Sequence, residues 1–341
     1  MMLTLIERIN HLQESLQFSG SVLVKNQESI LFESSYGYAN RSEQIKNHRN
    51  TRFGIASGCK VFTSIAICQL VEKGILTFDT PLIDCLDVDF PLFDKEITIH
   101  HLLTHTSGIP DYFDEEVMSD FEELWVSKPM YHIRRLKDFL PLFQNEKMKY
   151  QVGDRFHYNN AGYIVLGLIV EQATNLEFTE YVEQHIFQVT GMIDSGYFSF
   201  DCLPTRTATG YIDLEDGSWK TNIYSLPVKG GSDGGAFVTT LDMTKFWESL
   251  FYGRLLREET LEKLLIPHAE SSEGECYGYG IWIHTTSNKV VKYHVMGYDP
   301  GVSFHSAYYP HDETIITVCS NQSSGAYRMT KEIEDTLTLL K

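Results

Sequence analysis

Ser57 and Lys60 are separated by two residues in the run Ser57-Gly58-Cys59-Lys60, and the stretch that follows, VFTSIAICQLVE, is apolar on nearly every side. Such a stretch predicts a helix buried in the core. Positions three apart on a helix share a face, so the hydroxyl and the amine can meet. A serine hydroxyl is a poor nucleophile until a base removes its proton. An amine enclosed by an apolar helix is expected to have its pKa lowered enough to act as that base. Ser57 also falls at the expected helix start, where free N–H groups and the positive dipole end would stabilise an oxyanion. The bland alternative is a serine N-cap. Lys60 weighs against it, because a buried ammonium is costly without a partner or a neutral form. Cys59 lies two steps of ~100° from Ser57, hence about 160° away round the helix, and reads as core. His101 and His105 stand four apart with His100 beside them, but no acidic ligand pattern accompanies them, so neither metal nor cofactor is expected.

The elements that would position these groups come from both ends of the chain. MMLTLIERINHLQESLQF spaces Leu5, Ile6, Ile9, Leu12 and Leu16 as an amphipathic helix, unlike a signal peptide. GSVLVKN and SILFESS read as strands joined at Gln27-Glu28, and a short strand near Arg52–Ile55 leads into the Ser57 segment. From about Asp79 to Leu226 the pattern turns helical, clearest in LKDFLPLF, NAGYIVLGLIVEQAT and FTEYVEQHIF. After GGSDGGAF come helices near Leu241–Tyr252 and Glu258–Leu265. Four strand-like runs follow, YGYGIWIHT, KVVKYHVMG, GVSFHSAYY and ETIITVCSN, and then a closing helix from about Ala326 to Leu340. The expectation is an α/β (α+β) fold: one antiparallel sheet built from both chain ends, flanked by helices, with a mostly helical lobe inserted. The whole chain, 1–341, forms one domain in this reading, with 1–80 plus 227–341 as the sheet lobe and 81–226 as the helical lobe. A cleft between lobes is where sites form.

The 341 residues are 43% hydrophobic and 22% charged, enough for a sizeable core, and carry a net charge of −18. That charge excludes nucleic acid and anionic membrane as partners, since Lys and Arg would have to supply the attraction. No apolar run is long enough to span a bilayer. The six cysteines are scattered without a disulfide rhythm, which fits free thiols and a cytoplasmic location.

Several segments, in order, resemble the class C β-lactamase and penicillin-binding-protein family of serine hydrolases. They are RFGIASGCKVFTSIAICQLVEKGIL, ITIHHLLTHTSGIP (Ile97–Pro110), GDRFHYNNAGYIVLGLIVE (Gly153–Glu171), GGSDGGAFVTT and YGYGIW. The S-x-x-K spacing is a signature of such enzymes. The resemblance implies about five sheet strands and a second motif, Tyr-x-Asn, at Tyr158-Asn159-Asn160. Tyr158 would then partner Lys60 in proton transfer, and Asn160 would bind Lys60 and the substrate amide. Taken alone, the two residues would be a loop tyrosine and a helix cap.

The family's third motif is Lys or His, any residue, then Gly, on a strand beside the cleft. Anchoring on Gly297 and the turn Asp299-Pro300-Gly301 puts Val295 at the cationic position. His294 then points to the other face unless a bulge returns it. Tyr298 would still offer a backbone N–H to the oxyanion, beside that of Ser57. The expected activity is acyl-enzyme hydrolysis of an ester or amide of an uncharged small-molecule or peptide-like substrate. A true β-lactamase or D-alanyl-D-alanine carboxypeptidase is the rival, and a non-hydrolytic binding protein on the same fold the third reading. The oligomeric state is left open.

Overall fold

The computed structural model describes the chain apart from Met1, Glu28, Ser119, Asn288, Leu340 and Lys341. The second residue of the expected Gln27-Glu28 turn therefore lies outside the described residues.

Residues that favour strands gather at two distant places in the sequence, and one sheet joins them. The N-terminal hairpin supplies β1 (Gly20–Asn26) and β2 (Ser29–Tyr36). The C-terminal part supplies β3 (Ala269–Ser272), β4 (Glu275–Tyr277), β5 (Trp282–Thr286), β6 (Lys289–Asp299), β7 (Val302–Tyr309) and β8 (Thr314–Ser320). The order across the sheet is β2-β1-β8-β7-β6-β5-β4-β3, antiparallel at every pairing. Eight strands replace the expected five or so. The additional β3 and β4, AESS and ECY, are too short and polar to show the alternation by which a strand is recognised.

Helix α1 (Met2–Leu16) and the closing helix, α5 (Ala326–Leu337), cover one face of the sheet. There Leu5, Ile9, Met329 and Ile333 pack on Val22, Val24, Ile316 and Val318. The other face meets α2 (Lys60–Glu72), α3 (Asn160–Thr174) and α4 (Thr240–Phe251). One buried apolar cluster on that side includes Phe62, Ile65, Ile164, Leu166, Phe246, Trp247, Val295 and Phe304, so the intervening segment and the sheet share a core. LKDFLPLF does not form a helix. It makes two single 3₁₀ turns, Leu136–Asp138 and Leu140–Leu142, since Pro141 lacks the N–H that a continuous ladder requires.

Candidate active site

Ser57 does not sit on the first turn of an α-helix. It lies in a 3₁₀ turn, Ala56–Cys59, that runs into α2. In 3₁₀ geometry side chains at i and i+3 eclipse, and Lys60 Nζ lies 2.9 Å from Ser57 Oγ. Ala56 is held at φ 46°, a strained conformation for a residue with a Cβ. The glycine-rich turn opposite maintains it: Gly235 N–H donates to Ala56 O, and Ile55 N–H donates to Ala236 O. Ser57 thus stands on a backbone kink locked from across the cleft.

Lys60 is 1% exposed, so its amine must be satisfied internally. Besides Ser57 Oγ it reaches Asn160 Oδ1 at 2.8 Å and the backbone carbonyl of Asp233 at 2.6 Å. The expected lowering of its pKa is not what the site produces. Burial alone does push it down, but the opposing charges of Tyr158 and Asp233 outweigh burial and hold it above the ordinary lysine value. The contacts nevertheless suit either protonation state. Asn160 Oδ1 and Asp233 O can only accept, which takes two N–H bonds. The third position can donate to Ser57 as an ammonium or accept its proton as a neutral amine.

Tyr158 completes this group. Lys60 Nζ lies 4.9 Å from the centre of its ring, which also packs against His105 and Trp282. Burial raises the phenol's pKa, while Lys60 and the Ser57 hydroxyl pull the other way. Two stretches of chain fix its place. Gly108 O accepts from Lys149 and Tyr150 N–H, Thr106 O from Gly153 N–H, and His105 O from His157 N–H. Gly108 has φ 72°, and a Cβ there would come within 2.3 Å of Tyr150 O, so only glycine allows the contact. His105 Nδ1 accepts from Asn159 N–H, and burial keeps its pKa well below normal, so the ring is neutral.

Two carboxylates missing from the sequence reading control this centre. Asp111 receives Asn160 N–H at 2.7 Å, Ala161 N–H at 2.9 Å and Asn160 Nδ2 at 3.3 Å. It caps α3 from outside and holds the Asn160 amide with its oxygen toward Lys60. Burial, only partly offset by these bonds, raises its pKa to about 7. Asp233 gives its carbonyl to Lys60 and accepts a hydrogen bond from the Tyr112 phenol on its carboxylate. The local signal for Asp111 was its place directly after ITIHHLLTHTSGIP, and for Asp233 the run GGSDGGAF.

Strand β6 closes the site. A Cβ on Gly297 would lie 2.1 Å from Ile55 O and 2.8 Å from the backbone nitrogens of Ser57 and Gly58, so the strand lies directly against the nucleophile turn. Tyr293 and Val295 share that face, in the core with α2. Tyr298 follows at the cleft wall. Lys292 and His294 face the other way. Lys292 pairs with Glu334 of α5, and the His294 ring stacks on His305 and Trp282 with Nε2 3.3 Å from Glu275. No bulge interrupts the β6–β7 register from Tyr293 to Asp299. His294 is therefore outside the site, and Val295 stands on the Gly297 face where the third motif has its cation.

The remaining sequence candidates have separate partners. Cys59 is buried with Sγ 3.6 Å from Gly231 O, and burial pushes its thiol up to about 12. His100 contacts Tyr279 and His101 contacts Thr98, so neither converges with His105. Asp114, Glu116 and His157 do cluster, but Lys149 Nζ already sits among them as their cation.

Ser57, Asn160, Asp233, Tyr298 and Asp299 all line one cavity of about 530 Å³. Penicillin-binding protein 4* of Bacillus subtilis (strain 168) is 29% identical over 337 residues, covering 93% of this chain and 71% of that protein. The crystal structure of a penicillin binding protein from Bacillus halodurans superposes with a TM-score of 0.93 at 60% identity, covering 96% of this chain and 99% of the other. The octameric penicillin-binding protein homologue from Pyrococcus abyssi shares the fold (TM-score 0.85, 24% identity, 99% and 77% covered). The family model described as Beta-lactamase matches residues 7–339, and the chain belongs to that family of serine hydrolases.

Proposed function

We propose that the protein hydrolyses an ester or amide through an acyl-enzyme on Ser57. The observation that carries this reading is the 2.9 Å approach of Lys60 Nζ to Ser57 Oγ, with the amine's other contacts limited to two acceptors. Lys60 and Tyr158 act as a coupled pair that takes the Ser57 proton as Oγ attacks the carbonyl carbon. Burial keeps Tyr158 a phenol despite the pull of Lys60, so the pair takes the Ser57 proton from the state in which Lys60 has given up its own and faces Ser57 Oγ as a neutral amine. The oxyanion forms between the N–H groups of Ser57 and Tyr298. The pair then protonates the leaving alkoxide or amine, the acyl carbon–heteroatom bond breaks, and water releases the acyl group by the same path. Asn160 binds the substrate amide and positions Lys60.

Val295 on the face beside Ser57 supplies no charge for a substrate carboxylate, which supports an ester or amide without one over a penicillin or a D-alanyl-D-alanine terminus. The six cysteines are all free thiols, and on that ground we assign the protein to the cytoplasm. Among the described residues no helix is long and apolar enough to cross a membrane. The decisive test compares wild type with Ser57→Ala on p-nitrophenyl acetate and on a fluorescent penicillin. Ester turnover abolished by the substitution supports the proposal. A lasting adduct or rapid turnover of the penicillin would favour the β-lactam reading, and silence on both substrates would refute the hydrolase.

A further inference from the structure

His105 stands where a glycine would be the default. The short helix Ile99–Leu103 ends on Thr104 as its C-cap. Thr106 N–H donates to His101 O at 2.9 Å and His105 N–H to Leu102 O at 3.5 Å, the two bonds of a Schellman turn. The residue after the cap is then left-handed, and His105 has φ 58°. Glycine takes that conformation freely, whereas a side chain there costs roughly 1–2 kcal/mol. The fold nevertheless keeps an imidazole at this place and buries it completely.

Two hydrogen bonds from this one residue bracket Tyr158. The His105 carbonyl accepts from His157 N–H at 2.8 Å, and Nδ1 accepts from Asn159 N–H at 3.1 Å. The main chain is thus held on either side of the tyrosine, whose ring centre lies 4.4 Å from that of His105. Asn159 in turn caps α3 through Gly162 N–H, and Asn160 follows directly. An Nδ1 that accepts an N–H carries no proton, so the ring's proton is on Nε2. Among the described residues that buried Nε2–H has no hydrogen-bond partner. The rings of Phe156, Tyr163 and Tyr277 surround the imidazole, and aromatic faces are weak acceptors. A second proton would set Nδ1–H against Asn159 N–H, and Lys60 and His157 add like charge to the burial that already opposes it. Tyr158, Tyr163 and Tyr277 are the other titratable groups in contact with the ring. The site therefore specifies one tautomer and leaves a donor without a partner to do so, a cost that calls for a reason.

We propose that His105 is a positioning residue of the acyl-transfer centre: its bare Nδ1 and its carbonyl set the backbone around Tyr158 so that the phenol and the Asn160 amide meet Lys60. The role rests on the hydrolase reading and deepens it. His105 acts through its neighbours, since the hydrogen bonds of Lys60 go to Ser57, Asn160 and Asp233. Lys60 Nζ lies 4.9 Å from the centre of the Tyr158 ring and 2.8 Å from Asn160 Oδ1. Drift of the backbone at 158–160 by about 1 Å would spoil both contacts, and misplacement of that size costs on the order of 100-fold in rate.

Two substitutions separate the acceptor from the ring. In His105→Asn the side-chain oxygen can take the place of Nδ1 as acceptor, and asparagine tolerates the left-handed backbone. His105→Phe keeps a ring and loses the acceptor. Both are assayed on p-nitrophenyl acetate, with kcat expressed per folded protein from circular dichroism. His105→Phe should lose about 100-fold in kcat while KM stays within about threefold, and His105→Asn should recover to within about tenfold of wild type. A His105→Phe enzyme within about threefold of wild-type kcat overturns the proposal. So does a His105→Asn enzyme no faster than His105→Phe, which would assign the effect to the ring. If His105→Phe does not fold, His105→Asn decides against Ser57→Ala: recovery as above supports the role, and activity at the Ser57→Ala level overturns it. Nitrogen-15 NMR of the histidine rings in the wild type reads the tautomer whether or not the enzyme is active. A proton on Nε2 alone near pH 7 supports the proposal, and a proton on Nδ1 overturns it. A wild type inert toward the ester fails the hydrolase reading, and the spectrum still tests the hydrogen bond to Asn159.

Discussion

Replacing Gly297 by alanine should disable the enzyme while leaving it folded. The added Cβ would lie 2.1 Å from Ile55 O and 2.8 Å from the nitrogens of Ser57 and Gly58, all backbone atoms that no rotamer change can move. Bringing the 2.1 Å contact out to an ordinary 3.4 Å requires β6 and the nucleophile turn to part by about 1.3 Å. A displacement of about 1 Å at reacting groups costs on the order of 100-fold in rate. Loss of one oxyanion donor costs about 10²–10³. The expected fall in kcat on p-nitrophenyl acetate is therefore about 10²- to 10³-fold. The stability loss should stay at the ~1–3 kcal/mol typical of overpacking, since the sheet can bow at its end. Intact-mass detection of the acyl-enzyme and a thermal melt separate the two effects. Gly74→Ala is the control: φ there is 69° but nothing lies within 4 Å, so it should cost about 1 kcal/mol and leave kcat alone. A Gly297→Ala enzyme within threefold of wild-type kcat would refute the close approach on which the oxyanion argument depends.

Asp111→Asn leaves one acceptor oxygen where Asn160 and Ala161 now donate to two. On a neutral ester it should lower kcat by about 10- to 100-fold and flatten the loss of activity below pH 7, where the wild-type carboxyl gains a proton; an unchanged pH profile would count against its positioning role. Lys292 and Glu334 form an ion pair at 2.6 Å, 6% and 2% exposed. Lys292→Met should cost about 3–5 kcal/mol in urea unfolding, and adding Glu334→Gln should recover most of it; a single-variant loss under about 1 kcal/mol would contradict this. The raised pKa of Asp299 means that the folded protein retains a proton the unfolded chain has lost between pH 4 and 7, so this group's contribution to stability declines across that window. Asp299→Asn should thus melt higher than wild type at pH 8 but not at pH 4.5. The gain should be about 1–2 kcal/mol, below the full linkage value because the carboxyl still meets solvent; equal melting at both pH values would contradict the raised pKa.

What was legible in the sequence was whatever depends on short spacing or alternation. Ser57 and Lys60 are neighbours through local geometry alone, and the period of two along β6 places Val295 and Gly297 on one face and His294 on the other. Tyr158 and Asn160 needed the family resemblance, because nothing local says that a loop tyrosine will meet a lysine nearly a hundred positions earlier. Asp111 and Asp233 were invisible for a different reason. A carboxylate's role is set by what faces it, and their partners lie in distant segments. Lys60 shows the consequence. Its burial could be read from the apolar run around it, and burial alone lowers an amine's pKa. The direction reversed because Tyr158 and Asp233, brought in by the fold, oppose burial with charge.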